Sequence, residues 1–159
     1  PLRGTKGGSD AAAGIANWVG AGFPASKILL GLAAYGHSAT ASVDMSRNSK
    51  DMYQAKVDAV PRGDSADAEW ADTTCDPNAT KGVLSGVWRW KKLLAEGPLK
   101  DAATAGYGWT RYWDDASKTP WLWRAADKTF ISYDDPESIG HKVQYAQDSK
   151  LGGLMVWDL

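Results

Sequence analysis

Two stretches constrain the fold of this chain more than anything else in it. The last eight residues, Gly152-Gly153-Leu154-Met155-Val156-Trp157-Asp158-Leu159, carry five large apolar side chains and no polar alternation before Asp158. Residues 28–35, Ile28-Leu29-Leu30-Gly31-Leu32-Ala33-Ala34-Tyr35, form a second run of the same kind. A strand with one wet face alternates, whereas a continuous apolar run suits a strand covered on both faces, the habit of parallel sheets. Both runs are therefore read as buried strands of a barrel or an open sheet. Two such strands cannot satisfy their own edges, and a closed (β/α)8 barrel needs roughly 200 residues or more. Either the strands pair with something else or the chain is a piece of a larger protein, and the second reading is favoured.

Between the runs the chain reads as packing and decoration. Ser9 suits the N-cap of a helix running through Asp10, Ile15, Trp18 and Val19, with Gly20 and Gly22 ending it. Helix, short link and buried strand make one step of an α/β fold. Residues 37–80 are rich in Ser, Asp, Ala, Asn and Thr and nearly aperiodic, with Met52–Val57 a short strand or a helical turn. Val83, Val87, Trp90 and Leu94 recur at helical spacing over residues 83–96. Tyr107–Trp113 alternates, which puts Tyr107, Trp109, Arg111 and Trp113 on one strand face. Trp121–Arg124 and Lys128–Tyr133 flank Ala125-Ala126-Asp127 as a hairpin. Asp135, Pro136 and Glu137 are an N-cap, an N1 proline and a first-turn acid, opening a helix with Ile139, Val143 and Ala146 as its buried stripe. The parts are residues 1–36, an α+β insert over 37–133, and residues 134–159.

Charge narrows the partners. Lys and Arg total 18 against 19 Asp and Glu, which offers no global basic field for nucleic acid or an anionic membrane. No apolar run approaches the length of a membrane span, and no signal-peptide pattern opens the chain, although a precursor could have lost one. Cys75 is the one cysteine, so no internal disulfide forms, and with only His37 and His141 beside it neither a metal site nor a cofactor is expected. Tryptophan is the odd total, at nine. Most of these suit a core. An indole also meets the flat C–H face of a pyranose while keeping its N–H free, so carbohydrate is a plausible ligand.

The run Ala25-Ser26-Lys27 through Gly36-His37-Ser38 resembles the seventh-strand signature of family 18 glycoside hydrolases, the chitinases. Gly106–Asp114 through Thr119-Pro120 resembles the end of their insertion domain. Ser132–Ser138 is similar to the entry into their seventh helix, and Gly152–Trp157 to their eighth strand. The resemblance implies a partial (β/α)8 TIM barrel, last strands only, carrying an α+β chitinase insertion domain. It implies a chitin or GlcNAc-oligomer cleft contacted by Tyr35, His37, Met155 and Trp157, with Trp157 stacking beneath a sugar ring.

Trp109, Arg111 and Trp113 either extend that wall or form the insert's core face. Trp88–Trp90 and Trp121–Trp123 are read as packing. His37 stands where the family usually has Arg, and the cysteine that usually pairs with that of Cys75 falls at Ala116. The family's acid signature, D-x-x-D-x-D-x-E, is absent from the chain, whose nearest match, Asp64-Ser65-Ala66-Asp67-Ala68-Glu69, is read as a solvated acidic loop. No catalytic residue is therefore assigned here, and the family reaction is retaining hydrolysis assisted by the substrate's own acetamido group. A non-catalytic chitin- or oligosaccharide-binding lectin is the alternative. The resemblance further implies secretion, under which the sequon at Asn78 would be a glycosylation site. The missing N-terminal barrel portion or a second copy would cover the open strand edges.

Overall fold

The computed structural model describes residues 1–4, 10–69, 74–75, 77 and 82–157. Its strands form two sheets. Strands β1 (Leu29–Ala33) and β7 (Gly153–Trp157) pair in parallel, with Leu29 opposite Gly153 and Ala33 opposite Trp157. The second sheet is antiparallel, five-stranded, in the order β3-β2-β6-β5-β4. It comprises β2 (Tyr35–Thr40), β3 (Val87–Arg89), β4 (Thr110–Asp114), β5 (Thr119–Arg124) and β6 (Thr129–Tyr133). Helices α1 (Ala11–Gly20) and α3 (Pro136–Asp148) accompany the parallel pair, and the short α2 (Trp90–Ala95) follows β3 directly.

The antiparallel sheet is buried on both faces at its centre. Trp121 and Trp123 of β5 pack with Met45, Met52 and Ala41 of the preceding loop, while Leu122 between them packs with Trp88, Leu93, Leu99, Ile131 and Tyr133 on the other side. A period of two on β5 thus feeds two separate cores. Ala125 to Lys128 make the turn into β6, closed by an Arg124–Asp127 ion pair of 2.6 Å. Three of the expected core tryptophans, Trp88, Trp121 and Trp123, are buried.

The parallel pair is covered less. Ile15, Leu30 and Ala146 pack α1 and α3 against β1. Yet on β7 Leu154, Met155, Val156 and Trp157 are all exposed, as is Leu29 of β1. The two apolar runs pair in parallel, but the described residues leave Leu154 to Trp157 exposed. Burial on both faces, expected from the runs, is not met by the residues the structure describes.

Four local readings are corrected. Asp10, not Ser9, accepts the capping bond from the Ala13 N–H at 2.7 Å, and Ser9 lies outside the described residues. Residues 83–96 are not one helix: Val87–Arg89 is recruited as an edge strand beside β2, so the helix starts only at Trp90. Strand β4 begins at Thr110, leaving Tyr107 fully exposed. On α3 the buried positions are Ser138, Lys142 and Ala146, with Ile139 and Val143 only half-buried. Lys142 is tolerated there because its ammonium pairs with buried Asp134, which also accepts from the Ser138 hydroxyl at 2.9 Å. The helix start is as the sequence indicates, with Asp135 and Ser138 completing a reciprocal capping box. Met52–Val57 is irregular, touching Ala41 through one bridge at Lys56.

Candidate functional site

The two sheets meet end to end at Ala34. Its N–H donates to the carbonyl of Trp157 at 3.0 Å, and its own carbonyl accepts from the Trp90 N–H at 2.9 Å. This junction brings the last residue of β7 beside the first residues of β2 and the last of β3. Antiparallel register sets Tyr35 opposite Arg89 and His37 opposite Val87, so the four residues occupy one face. With Trp157 they line a cleft of about 310 Å³. The Tyr35 and His37 rings meet edge to face, 5.5 Å apart at 81°. The His37 Nδ1 lies 3.3 Å from the Ser85 carbonyl, a bond that forms when that nitrogen carries its proton. Trp157 is 64% exposed, an unusual state for an indole.

The wall carrying Val87 and Arg89 is braced by the turn over residues 63–67. Asp64 and Asp67 are buried, which overturns the solvated acidic loop. Asp64 accepts from the Arg89 N–H at 2.9 Å, from the Ala66 N–H at 2.8 Å, and from the Arg89 Nη1 at 2.7 Å and 3.0 Å. Asp67 accepts from the Gly63 N–H at 2.8 Å, the Gly86 N–H at 3.1 Å and the Ser85 hydroxyl at 2.6 Å. Burial pushes both carboxyls up, but these hydrogen bonds outweigh it and hold both below the usual carboxylate range. The turn contains no apolar residue larger than alanine, so no hydrophobic pattern marked it as interior. Backbone approach there demands glycine: a Cβ on Gly63 would lie 2.0 Å from the Val87 carbonyl oxygen, and Gly86 sits at φ +69°.

The structure brings Tyr35, His37 and Trp157 together and sets other sequence-derived candidates apart. Met155 lies two residues from Trp157 on the same face of β7, against Gly31, and is 43% exposed. Arg111 instead reaches the start of α3, donating from Nη2 to Asp135 at 2.7 Å and to Glu137 at 3.4 Å. Its guanidinium lies 5.8 Å from the Trp113 ring, which in turn is 5.9 Å from His141. Burial alone would lower the Arg111 pKa, but the Asp135 bond raises it above its ordinary value. Trp109 packs at the edge of the core formed by Trp88, Leu93, Leu99, Leu122, Ile131 and Tyr133, with the Arg124 guanidinium 4.5 Å from its ring centre. Cys75 is exposed, and Asn78 lies outside the described residues. Sequence reasoning missed Arg89 and Val87. Their i, i+2 spacing was the available signal, masked by the helical spacing of Val83, Val87, Trp90 and Leu94.

Known proteins agree with this architecture. Residues 1–159 match the family described as Glycosyl hydrolases family 18. Chitinase A1 of Niallia circulans is 33% identical over 151 residues, 94% of this chain and 18% of that protein. A chitinase-like effector of Moniliophthora roreri is 31% identical over 147 residues, 89% of this chain and 35% of the relative. The solved chitinase RmChi1 of Rhizomucor miehei superposes on all of this chain and 42% of its own, with a TM-score of 0.87 at 30% identity. The chain thus spans less than half the length of each of these relatives, and its mixed α/β fold is that of the solved chitinase. This chain belongs to family 18 of the glycosyl hydrolases.

Proposed function

We propose that this chain supplies one wall of a cleft for chitin or GlcNAc oligosaccharides, with Tyr35, His37, Met155 and Trp157 contacting sugar. The observation that carries the reading is the exposed Trp157 indole at the mouth of a cleft shared with Tyr35 and His37. An aromatic plate held by strand backbone and flanked by a hydroxyl and an imidazole can stack a pyranose and bond its edge. On this reading β1, β7, α1 and α3 are the last part of a (β/α)8 barrel, and the antiparallel sheet is its insertion domain. The missing barrel strands, or a second copy, would cover the open edges of β1 and β7 and leave Met155 and Trp157 to the cleft. An extracellular location belongs to the same proposal. Trp109, Arg111 and Trp113 are the weaker part of it, since each already has a protein partner.

Within this chain the role is binding. The acid signature is not among its residues, and a general acid near neutral pH needs a raised carboxyl pKa. Asp64 and Asp67 are shifted the other way. The whole-protein reaction proposed with this wall is retaining hydrolysis of β-1,4-GlcNAc linkages, and the exposed Trp157 serves equally in the second reading, a non-catalytic oligosaccharide-binding lectin. Two assays test these readings. Chitin-bead binding by the 159-residue chain that vanishes in Trp157→Ala is expected, and binding that survives the substitution would refute the stacking role. No release of reporter from a chitobiose substrate is expected, and turnover by the purified chain would overturn the binding-only role.

A further inference from the structure

Arg89 is positioned for more than bracing. It stands directly across from Tyr35 on the antiparallel register and lines the cleft with Trp157. Both of its side-chain bonds to Asp64 come from a single nitrogen, Nη1. Its Nε and Nη2 make no hydrogen bond among the described residues, and the side chain is 41% exposed. A guanidinium has five N–H donors in a rigid fork, so three of them remain for a ligand.

The pair with Asp64 also decides which ligand. Asp64 is fully buried and its carboxyl is saturated by Ala66 and Arg89, so it stays ionised and cannot swing away. A carboxylate at 2.7 Å offsets most of the field that a second, incoming anion would feel. Among the described residues lining the cleft, Arg89 is the one Arg, Lys, Asp or Glu. What remains is a directional donor with little net charge. Such a group suits neutral oxygens, a hydroxyl or an amide carbonyl, and gives a carboxylate no large advantage.

We propose that Arg89 is a specificity-determining contact of this cleft, donating from Nε and Nη2 to neutral oxygens of a sugar stacked on Trp157, with Asp64 as the positioning residue that fixes the fork. The proposal rests on the reading of the cleft as an oligosaccharide site. Arg89→Lys separates contact from bracing, because a lysine keeps a cation beside Asp64 but loses the fork. Isothermal titration of the 159-residue chain with chitotetraose, alongside thermal melts, is the test. Wild type binds and Trp157→Ala does not. Arg89→Lys melts within about 3 °C of wild type yet binds about tenfold more weakly. Arg89→Met weakens binding at least as much. A galacturonate tetramer binds the wild type no tighter than chitotetraose.

If Arg89→Lys and Arg89→Met both bind as wild type while Trp157→Ala abolishes binding, the contact role is refuted and the cleft reading stands. If the wild type itself does not bind, both fall. Tighter galacturonate binding that Arg89→Met removes would overturn the assignment to neutral oxygens.

Discussion

The parallel pair has the more continuously apolar strands, yet it is the antiparallel sheet that is better buried. Every residue of β5 from Thr119 to Trp123 is buried, because the sheet is flanked by the loop holding Met45 and Met52 on one side and by Leu93 and Leu99 on the other. On β7, Leu154 to Trp157 are exposed although the run is more continuously apolar. Apolar content thus says what a strand needs and not whether its own chain provides it. The candidate cleft lies where the two regimes meet, with Tyr35, His37, Val87 and Arg89 drawn from the well-packed sheet and Trp157 from the uncovered strand.

The sharpest way to break this contrast is to truncate both sides. Trp121→Ala is expected to cost about 3–5 kcal/mol, since it empties a fully buried site between Tyr112 and Phe130. Val156→Ala, at a position half exposed, should stay within about 0.5 kcal/mol. Urea unfolding of each variant measures both, and equal losses would mean that β7 is as tightly packed as β5.

An intermediate effect belongs to the brace between them. Asp64→Asn should cost about 2 kcal/mol at pH 7 through the loss of charge-assisted bonds to Arg89. Asp64 and Asp67 have lowered pKa values, so their stabilisation is complete above the unfolded carboxylate value, near pH 4, and fades as pH falls through their lower folded values. The melting gap between wild type and Asp64→Asn should therefore be flat from pH 8 to 5 and close below about pH 4. A gap that instead closed between pH 6 and 8 would place the controlling group elsewhere, on a histidine.

Much of this was legible in the sequence. Turn and cap chemistry fixed the β5–β6 hairpin and the start of α3, because Ala125-Ala126-Asp127 and Asp135-Pro136-Glu137 act locally. That the runs at 28–35 and 152–159 hold strands wanting parallel neighbours followed from their continuity, whereas the pairing of Leu29–Ala33 with Gly153–Trp157 came only from the structure. Of the cleft, Tyr35, His37 and Trp157 were reachable through family resemblance. Arg89, Asp64 and Asp67 were not, because both carboxylates are held by hydrogen bonds across gaps of 18 to 25 residues that leave no periodic trace. Lys142 escaped for a similar reason: a lysine at a core position looks like surface until its partner Asp134 is placed.

The smallest change in stability should accompany the largest change in binding. Trp157→Ala removes an exposed side chain, so its melting point should move little, while the stacking plate is lost. A titration of the isotope-labelled chain with chitotetraose, followed through its tryptophan indole N–H resonances and backbone amides, tests the cleft most directly. The account predicts saturable shifts at the Trp157 indole and at the amides of Tyr35, His37 and Arg89, with the buried Trp121 and Trp123 indoles unmoved. Shifts confined to other surfaces, or none at millimolar sugar, would contradict it.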